Sequence, residues 1–342
     1  MSARVIALTG ATGFIGSAVL RRLCDGDGPG RDVAVRVLTR TAPAGRAKVP
    51  GVSWLPVDLE DPASLRGALD GVDVLMHLAA RVTGDEAQCR AVNLTGTRSL
   101  VDEARRAGVE RLLHLSTAAV YGAGPHHGIA VNETAPAPVS AASRTRLAAE
   151  SPVIDAGGTV LRPGLVLGSG DRWVVPALAE LAERVPAYWD GGRALLSVVD
   201  VSDLARLLVS LATTHRALPG VFHASDPRPV RNRDLMVRLA ALGVLPAVVD
   251  DWSWEDCLRR FGDAEGRVTQ RQFELLARDH WYRSDEIWRL AGCPEGPGPL
   301  ARLESAAPWY RAHLTPGKAS HPVTPAATTP PAVPPLRGPA QW

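Results

Sequence analysis

The chain has 342 residues, 46% of them apolar, which is enough for one large α/β domain or two coupled ones with ample core. A formal net charge of +2 gives no basic face, so nucleic acid is not an expected partner, and no apolar run approaches the roughly 20 residues of a membrane helix. Cys24, Cys89, Cys257 and Cys293 are too scattered for a disulfide frame or a zinc site and read as reduced thiols.

A strand begins almost at once, at Val5–Leu8, with no apolar leader and cleavage site before it, so the sequence predicts a cytoplasmic protein. Arg4–Leu8, Val33–Leu38, Val52–Pro56, Val74–His77, Leu112–Ser116 and Thr159–Leu161 each read as a buried strand: short, β-branched and bounded by Gly, Asp or Pro. Phe14–Cys24, Pro62–Leu69, Glu86–Ala107 and Ser143–Asp155 read as the intervening helices. This alternation predicts an α/β fold, a Rossmann doubly wound parallel sheet covered on both faces, with ligands at the carboxyl ends of its strands. After about Val166 the rhythm changes. Val175–Arg184, Val201–Ala212 and Asn232–Leu242 read as amphipathic helices, and eight of the nine tryptophans fall from Trp173 onward. We therefore divide the chain into a nucleotide-binding domain (1–165), a smaller, mainly helical substrate lobe (166–314, with strands returning to the sheet) and a Pro-rich tail (315–342). The tail has too little apolar content to pack and is expected to be disordered. The tryptophans serve either as lobe core or as walls for a flat aromatic ligand. Trp173 and the Tyr188-Trp189 pair, near the domain junction, are the candidates for the second role.

Gly10-x-x-Gly13-x-x-Gly16 follows an apolar strand and opens an apolar-periodic helix, the context that gives this spacing meaning. Gly10 permits a tight turn, Gly13 lets backbone approach a pyrophosphate, and Gly16 lets the helix lie close on the sheet. The helix N-terminus offers free N–H groups and a partial positive charge to phosphates. The second strand ends in Arg40 where an NAD site has a carboxylate for the ribose 2′-OH. Arg40 suits a 2′-phosphate, with Arg46 as a second candidate, so NADP(H) is favoured over NAD(H).

Five further motifs stand in a telling order. They are Val57-Asp58-Leu59, His77-Leu78-Ala79-Ala80, Asn93-x-x-Gly96-Thr97, Leu115–Gly122 and Leu161-Arg162-Pro163-Gly164-x-Val166-x-Gly168. With Thr9–Gly16 they make the chain resemble the extended short-chain dehydrogenase/reductases, which include nucleotide-sugar epimerases and dihydroflavonol-type ketoreductases. The resemblance spans about residues 3–310. It implies cofactor contacts from Gly10, Thr12, Gly13, Phe14, Ile15 and Gly16, and from Asp58 and Leu59 at the adenine. Leu78, Ala79, Ala80 and Asn93 would lie beneath the dinucleotide, and Pro163 and Gly164 would close over the nicotinamide.

One part of the pattern is missing. The family's Tyr-x-x-x-Lys acid–base pair aligns with Ala142 and Arg146. Arg146 keeps a positive charge for ribose hydroxyls, but Ala142 transfers no proton. Thr117 remains at the family's hydroxyl position with Ser116 beside it, both able to hydrogen-bond a carbonyl. Three replacements for the acid present themselves: Tyr121, placed to pack beside or contact substrate; His126-His127; and the substrate itself. A ketone beside a phenol carries its own proton donor. In this the chain resembles the atypical ketoreductases of aromatic polyketide biosynthesis, those acting on angucyclinones above all. The resemblance implies NADPH-dependent reduction of a small aromatic ketone to a secondary alcohol, by a monomer or a homodimer paired through its long helices. Two rival readings are a nucleotide-sugar epimerase or dehydratase, which leans on the missing tyrosine, and a non-catalytic NADP-binding regulator or scaffold. Asp250-Asp251 and Asp279-His280 lack metal-ligand spacing, no metal is expected, and no Gly-x-Ser-x-Gly elbow is present.

Overall fold

Consecutive side chains of Arg4–Thr9 (β1) alternate between two buried faces: Ile6 and Leu8 join one apolar cluster and Ala7 another. A strand apolar on both sides belongs in the middle of a sheet covered twice, and that is where β1 sits. The computed structural model describes residues 4–25, 33–41, 49–214 and 216–314; Arg46 and the tail 315–342 fall outside them.

In chain order the first half runs α1 (Phe14–Cys24), β2 (Val33–Thr39), β3 (Val52–Pro56), β4 (Val74–His77), α2 (Glu86–Arg90), α3 (Thr97–Ala107), β5 (Arg111–Leu115), β6 (His126–Ile129), α4 (Ala141–Asp155) and β7 (Thr159–Arg162). The second half runs β8 (Leu165–Leu167), α5 (Val174–Arg184), β9 (Tyr188–Trp189), β10 (Leu195–Leu196), β11 (Val198–Asp200), α6 (Val201–Thr213), β12 (Gly220–His223), β13 (Val230–Arg231) and α7 (Asn232–Ala241). It ends with β14 (Asp251–Trp252), α8 (Trp254–Asp263), α9 (Gln270–Ala277), β15 (His280–Tyr282), α10 (Asp285–Leu290) and α11 (Pro299–His313).

Seven parallel strands form the main sheet in the order β3-β2-β1-β4-β5-β7-β12. The winding reverses between β1 and β4, so the ligand crevice lies at their carboxyl ends. One face is covered by α1 and α6, with Val19 and Leu20 meeting Leu204, Leu207 and Leu208. The other packs Leu100 and Val101 of α3 and Val153 of α4 over Leu75, Leu112 and Val160. Thus α6 and β12, both beyond residue 165, complete the nucleotide-binding layer. The lobe proper has its own core around Trp189, Phe273 and Tyr310, and a small sheet ordered β13-β10-β15-β6.

Two predicted helices differ from the structure. Pro62–Leu69 is helical only over Pro62–Leu65: Arg66 is already extended, with ψ 123°, and Gly67 follows with a left-handed φ of 73°. Glu86–Ala107 is not one continuous α-helix: Ala91–Gly96 widens into a π-helical segment between α2 and α3. Gly96 there lies so close to the 57–59 segment that an added Cβ would meet the Leu59 carbonyl oxygen at 2.8 Å. No helix among the described residues is long and apolar enough to cross a membrane.

Candidate active site

The crevice is built at the carboxyl ends of β1, β2, β4, β5 and β7. At the first, Gly10 adopts φ 73°, and a Cβ on it would stand 2.7 Å from the Ala79 nitrogen. A Cβ on Gly16 would stand 2.0 Å from the Gly10 carbonyl oxygen. The Gly13 N–H closes the turn onto that same oxygen at 2.9 Å. Gly13 caps α1 without a side-chain hydrogen bond, and the first turn holds no acidic residue. The N–H groups opening α1 are therefore left for an anion, with Thr12 and Gly13 exposed beside them. This backbone cradle fits a dinucleotide pyrophosphate.

Beneath it runs a buried hydrogen-bond chain. Thr97 donates to the Asn93 carbonyl at 2.5 Å, so its oxygen accepts from His77 Nε2 at 2.9 Å. His77 Nδ1 is then the acceptor for the Thr9 hydroxyl at 2.8 Å, and the Thr9 oxygen accepts the N–H groups of Leu78 and Ala79, each at 3.2 Å. Burial, reinforced by the nearby Arg146 charge, lowers the His77 pKa to about 4 and keeps the ring neutral. Asn93 clamps the 81–83 turn: Oδ1 accepts the Arg81 N–H at 2.7 Å, while Nδ2 donates to the Arg81 carbonyl and to Thr145 Oγ1. Asn93 thus shapes the cofactor floor and has no atom left over to touch a ligand, contrary to the expectation of direct contact. Arg40, at the end of β2, is exposed and forms no ion pair among the described residues. Asp58 turns inward on its own loop, accepting from the Glu60 N–H at 3.0 Å.

At the end of β5, Ser116 and Thr117 part company. Ser116 is fully buried and its hydroxyl donates to Glu150, so it does not serve a substrate carbonyl; the expectation fails because a buried carboxylate claims the proton. Thr117 is half-buried, its Oγ1 accepts the Ala119 N–H at 3.1 Å, and its own proton stays available. The Ala118 N–H donates to the Pro163 carbonyl at 2.8 Å, binding the Thr117 turn to the Pro163-Gly164 loop. A Cβ on Gly164 would lie 2.4 Å from the Ser197 carbonyl oxygen, so this loop is tightly seated.

Ala142 stands in the first turn of α4, and one turn on, Arg146 Nη2 donates to the carbonyls of Leu115 and Ser116 at 3.0 and 2.5 Å. Part of the guanidinium expected at the ribose therefore ties α4 to the end of β5. Burial lowers its pKa to about 10, which leaves it charged at neutral pH. Glu150, one turn further, pairs with Arg162 through Nη2 at 2.5 Å and Nε at 3.0 Å, both groups buried.

Tyr121 does not reach the crevice. It is 1% exposed, with its hydroxyl 2.8 Å from Arg162 Nη1, 2.8 Å from His223 Nε2 and 3.2 Å from the Val131 carbonyl. Burial raises its pKa, and the expected substrate contact is replaced by a structural one. His126 is buried edge-on against Tyr121 and His280, while exposed His127 pairs with Asp279 at 2.7 Å. Trp189 is also core: fully buried, it donates to the Val185 carbonyl and meets Phe273 edge-on. Tyr188 is 7% exposed beneath the Arg233 guanidinium. Trp173 alone of the three predicted wall residues is open, at 59% exposure, just after Asp171, which caps α5 through the Trp173, Val174 and Val175 N–H groups. Sequence reasoning overlooked two packing contributors. Glu150 and Gly170 escaped it, the latter so close to the Phe14 ring that an added Cβ would meet it at 2.9 Å, because neither carries a local motif. The described cysteines are all free, and no group of three or more metal-capable side chains converges among the described residues.

A doubly wound sheet with a glycine turn at its switch point places the chain in the Rossmann-like α/β class. The model of the NAD dependent epimerase/dehydratase family matches residues 6–223, and the chain belongs to that family. Among curated relatives, it is 29% identical over 245 residues to a 4-hydroxy-2-methyl-3-oxo-4-farnesyl-3,4-dihydroquinoline-1-oxide ketoreductase of Stigmatella aurantiaca, covering 68% of this chain and 71% of that one. It is 28% identical over 317 residues to a 2-alkyl-3-oxoalkanoate reductase of Stenotrophomonas maltophilia, covering 84% and 93%. Among solved structures, MoeE5 in complex with UDP-glucuronic acid and NAD superposes with a TM-score of 0.68 at 22% identity, covering 90% of this chain and 99% of that one. The chain is an NAD(P)-dependent oxidoreductase of this family.

Proposed function

We propose that this protein reduces a ketone of a flat aromatic molecule, an aromatic polyketide of the angucyclinone type, to a secondary alcohol. The observation that carries the reading is a conjunction. The cradle at Gly10–Gly16 and the Pro163-Gly164 loop are intact, while the position of the family's acid holds the methyl group of Ala142. Tyr121 and Ser116 are both engaged elsewhere. The residues of the cradle fit NADP(H), preferred over NAD(H) because the exposed Arg40 stands where a carboxylate would repel a 2′-phosphate. When bound, the reduced nicotinamide supplies hydride to the carbonyl carbon. The chain's own part is to hold the carbonyl oxygen with the Thr117 O–H, to keep the floor rigid through Thr9, His77 and Asn93, and to offer Trp173 as an apolar wall. The proton reaches the new alkoxide from a phenol adjacent to the ketone, and water reprotonates that phenol. Two curated relatives whose names describe ketone reduction support the reaction class. An epimerase or dehydratase reading keeps the fold but needs a base where Ala142 stands.

Because no protein group acts as the acid, Tyr121→Phe and Thr117→Val each lose about tenfold or less in kcat, the scale of one neutral hydrogen bond. Steady-state assays on folded protein check this. A loss of about 10²-fold or more in either variant places the acid on the protein.

A further inference from the structure

Beyond the crevice, the loop that continues from Thr117–Tyr121 forms one wall of a cavity of about 240 Å3, facing α9. Gly124 and Pro125 line that wall; Arg271, Leu275, Arg278 and His280 line the rest. Two arginines and one carboxylate line it: one oxygen of Glu274 accepts from Gln270 Nε2 at 2.9 Å, and the Arg278 guanidinium lies over the Trp254 ring at 5.6 Å. Neither Arg271 nor Arg278 forms an ion pair among the described residues, and Arg271 Nε is buried with no hydrogen-bond partner. A buried guanidinium donor without an acceptor is expensive unless a ligand supplies one. His280 cannot do so: its Nδ1 donates to the Arg278 carbonyl at 3.0 Å and its Nε2 accepts the Gly124 N–H at 3.2 Å. That double engagement fixes a neutral ring and a rigid wall, since a Cβ on Gly124 would lie 2.5 Å from His280 Nε2.

We propose that this cavity is a subsite for an acidic group, a carboxylate or ionised phenol, carried by the carbonyl substrate. The inference rests on the reductase reading for the identity of its ligand. Arg271 and Arg278 supply charge-assisted donors, while Pro125 and Leu275 supply the apolar surface for the body of the molecule. At about 240 Å3 it falls below the roughly 300–1,000 Å3 of whole-ligand sites, so it takes one end of a substrate, not an entire polycycle.

The probe is 2-naphthoate, titrated by calorimetry into the full chain saturated with NADP⁺, beside its neutral methyl ester. The acid is expected to bind about tenfold or more tightly than the ester, and Arg271→Gln and Arg278→Gln each to weaken it by about tenfold or more, the scale of a hydrogen bond to a charged group. Leu275→Trp, which fills the cavity without touching the charges, weakens acid and ester alike. Equal binding of acid and ester, or an affinity untouched by all three variants, overturns the subsite. These titrations do not depend on turnover. A protein that binds naphthoate this way yet consumes no NADPH sinks the reductase reading and leaves the anion site standing.

Discussion

Gly16→Ala is expected to lower NADPH affinity by about 100-fold or more. The added methyl would sit 2.0 Å from the Gly10 carbonyl oxygen and 2.6 Å from its carbon, both backbone atoms in a turn already pinned by the Gly13 N–H. Nothing flexible is available to yield. The cradle has to open, and forced overpacking of this kind costs about 3 kcal/mol or more, at about 1.4 kcal/mol per tenfold in affinity. Gly10→Ala carries a second penalty, because its φ of 73° disfavours any side chain. Gly13→Ala is milder for the polypeptide itself, its Cβ lying 3.3 Å from the Gly10 carbonyl oxygen, but its methyl would stand on the side where the pyrophosphate approaches, so it too should lose affinity. Fluorescence titration of NADPH measures all three. Equal affinity in Gly16→Ala and wild type would mean that the dinucleotide does not lie on this turn.

The second large effect is on stability. Glu150→Gln leaves the Arg162 guanidinium buried without a counter-charge and puts an N–H donor where one of the two carboxylate oxygens accepted from Ser116 and Arg162. Breaking a buried pair from one side costs about 3–5 kcal/mol. Replacing both partners, Glu150→Leu with Arg162→Met, removes both desolvation penalties and should recover most of the loss. Tyr121 then keeps His223 as its partner. Denaturant midpoints decide it. Single and double variants of equal stability would show that the pair is not as dry as its 3% and 5% exposures indicate.

The sheet was legible because its strands are apolar on both faces and punctuated by Gly, Asp and Pro. Val52–Pro56 and Phe14–Cys24 begin and end where the sequence places them. The cradle was legible because its glycines answer to local geometry, a left-handed φ at one and backbone crowding at two. What escaped was long-range. That Ser116 faces a carboxylate depends on α4 lying behind β5, and no spacing within either segment announces it. Tyr121 and Trp189 are residue types that suit a pocket wall or a core equally well, and only the surrounding elements decide which. The π-helical segment Ala91–Gly96 carries Asn93, whose side chain bonds the Arg81 backbone, again a contact between segments.

The most direct test sets two substrates side by side. Purified protein with NADPH is offered 1-hydroxy-2-acetonaphthone, whose phenol is hydrogen-bonded to the ketone, and the same ketone with that oxygen methylated. Loss of reduced-nicotinamide absorbance should accompany the first, and the second should run about 10²–10⁴ times slower, the worth of a positioned proton donor. Equal rates for the two ketones would put the acid on the polypeptide; no NADPH consumed with either would leave a dinucleotide-binding protein that performs no reduction.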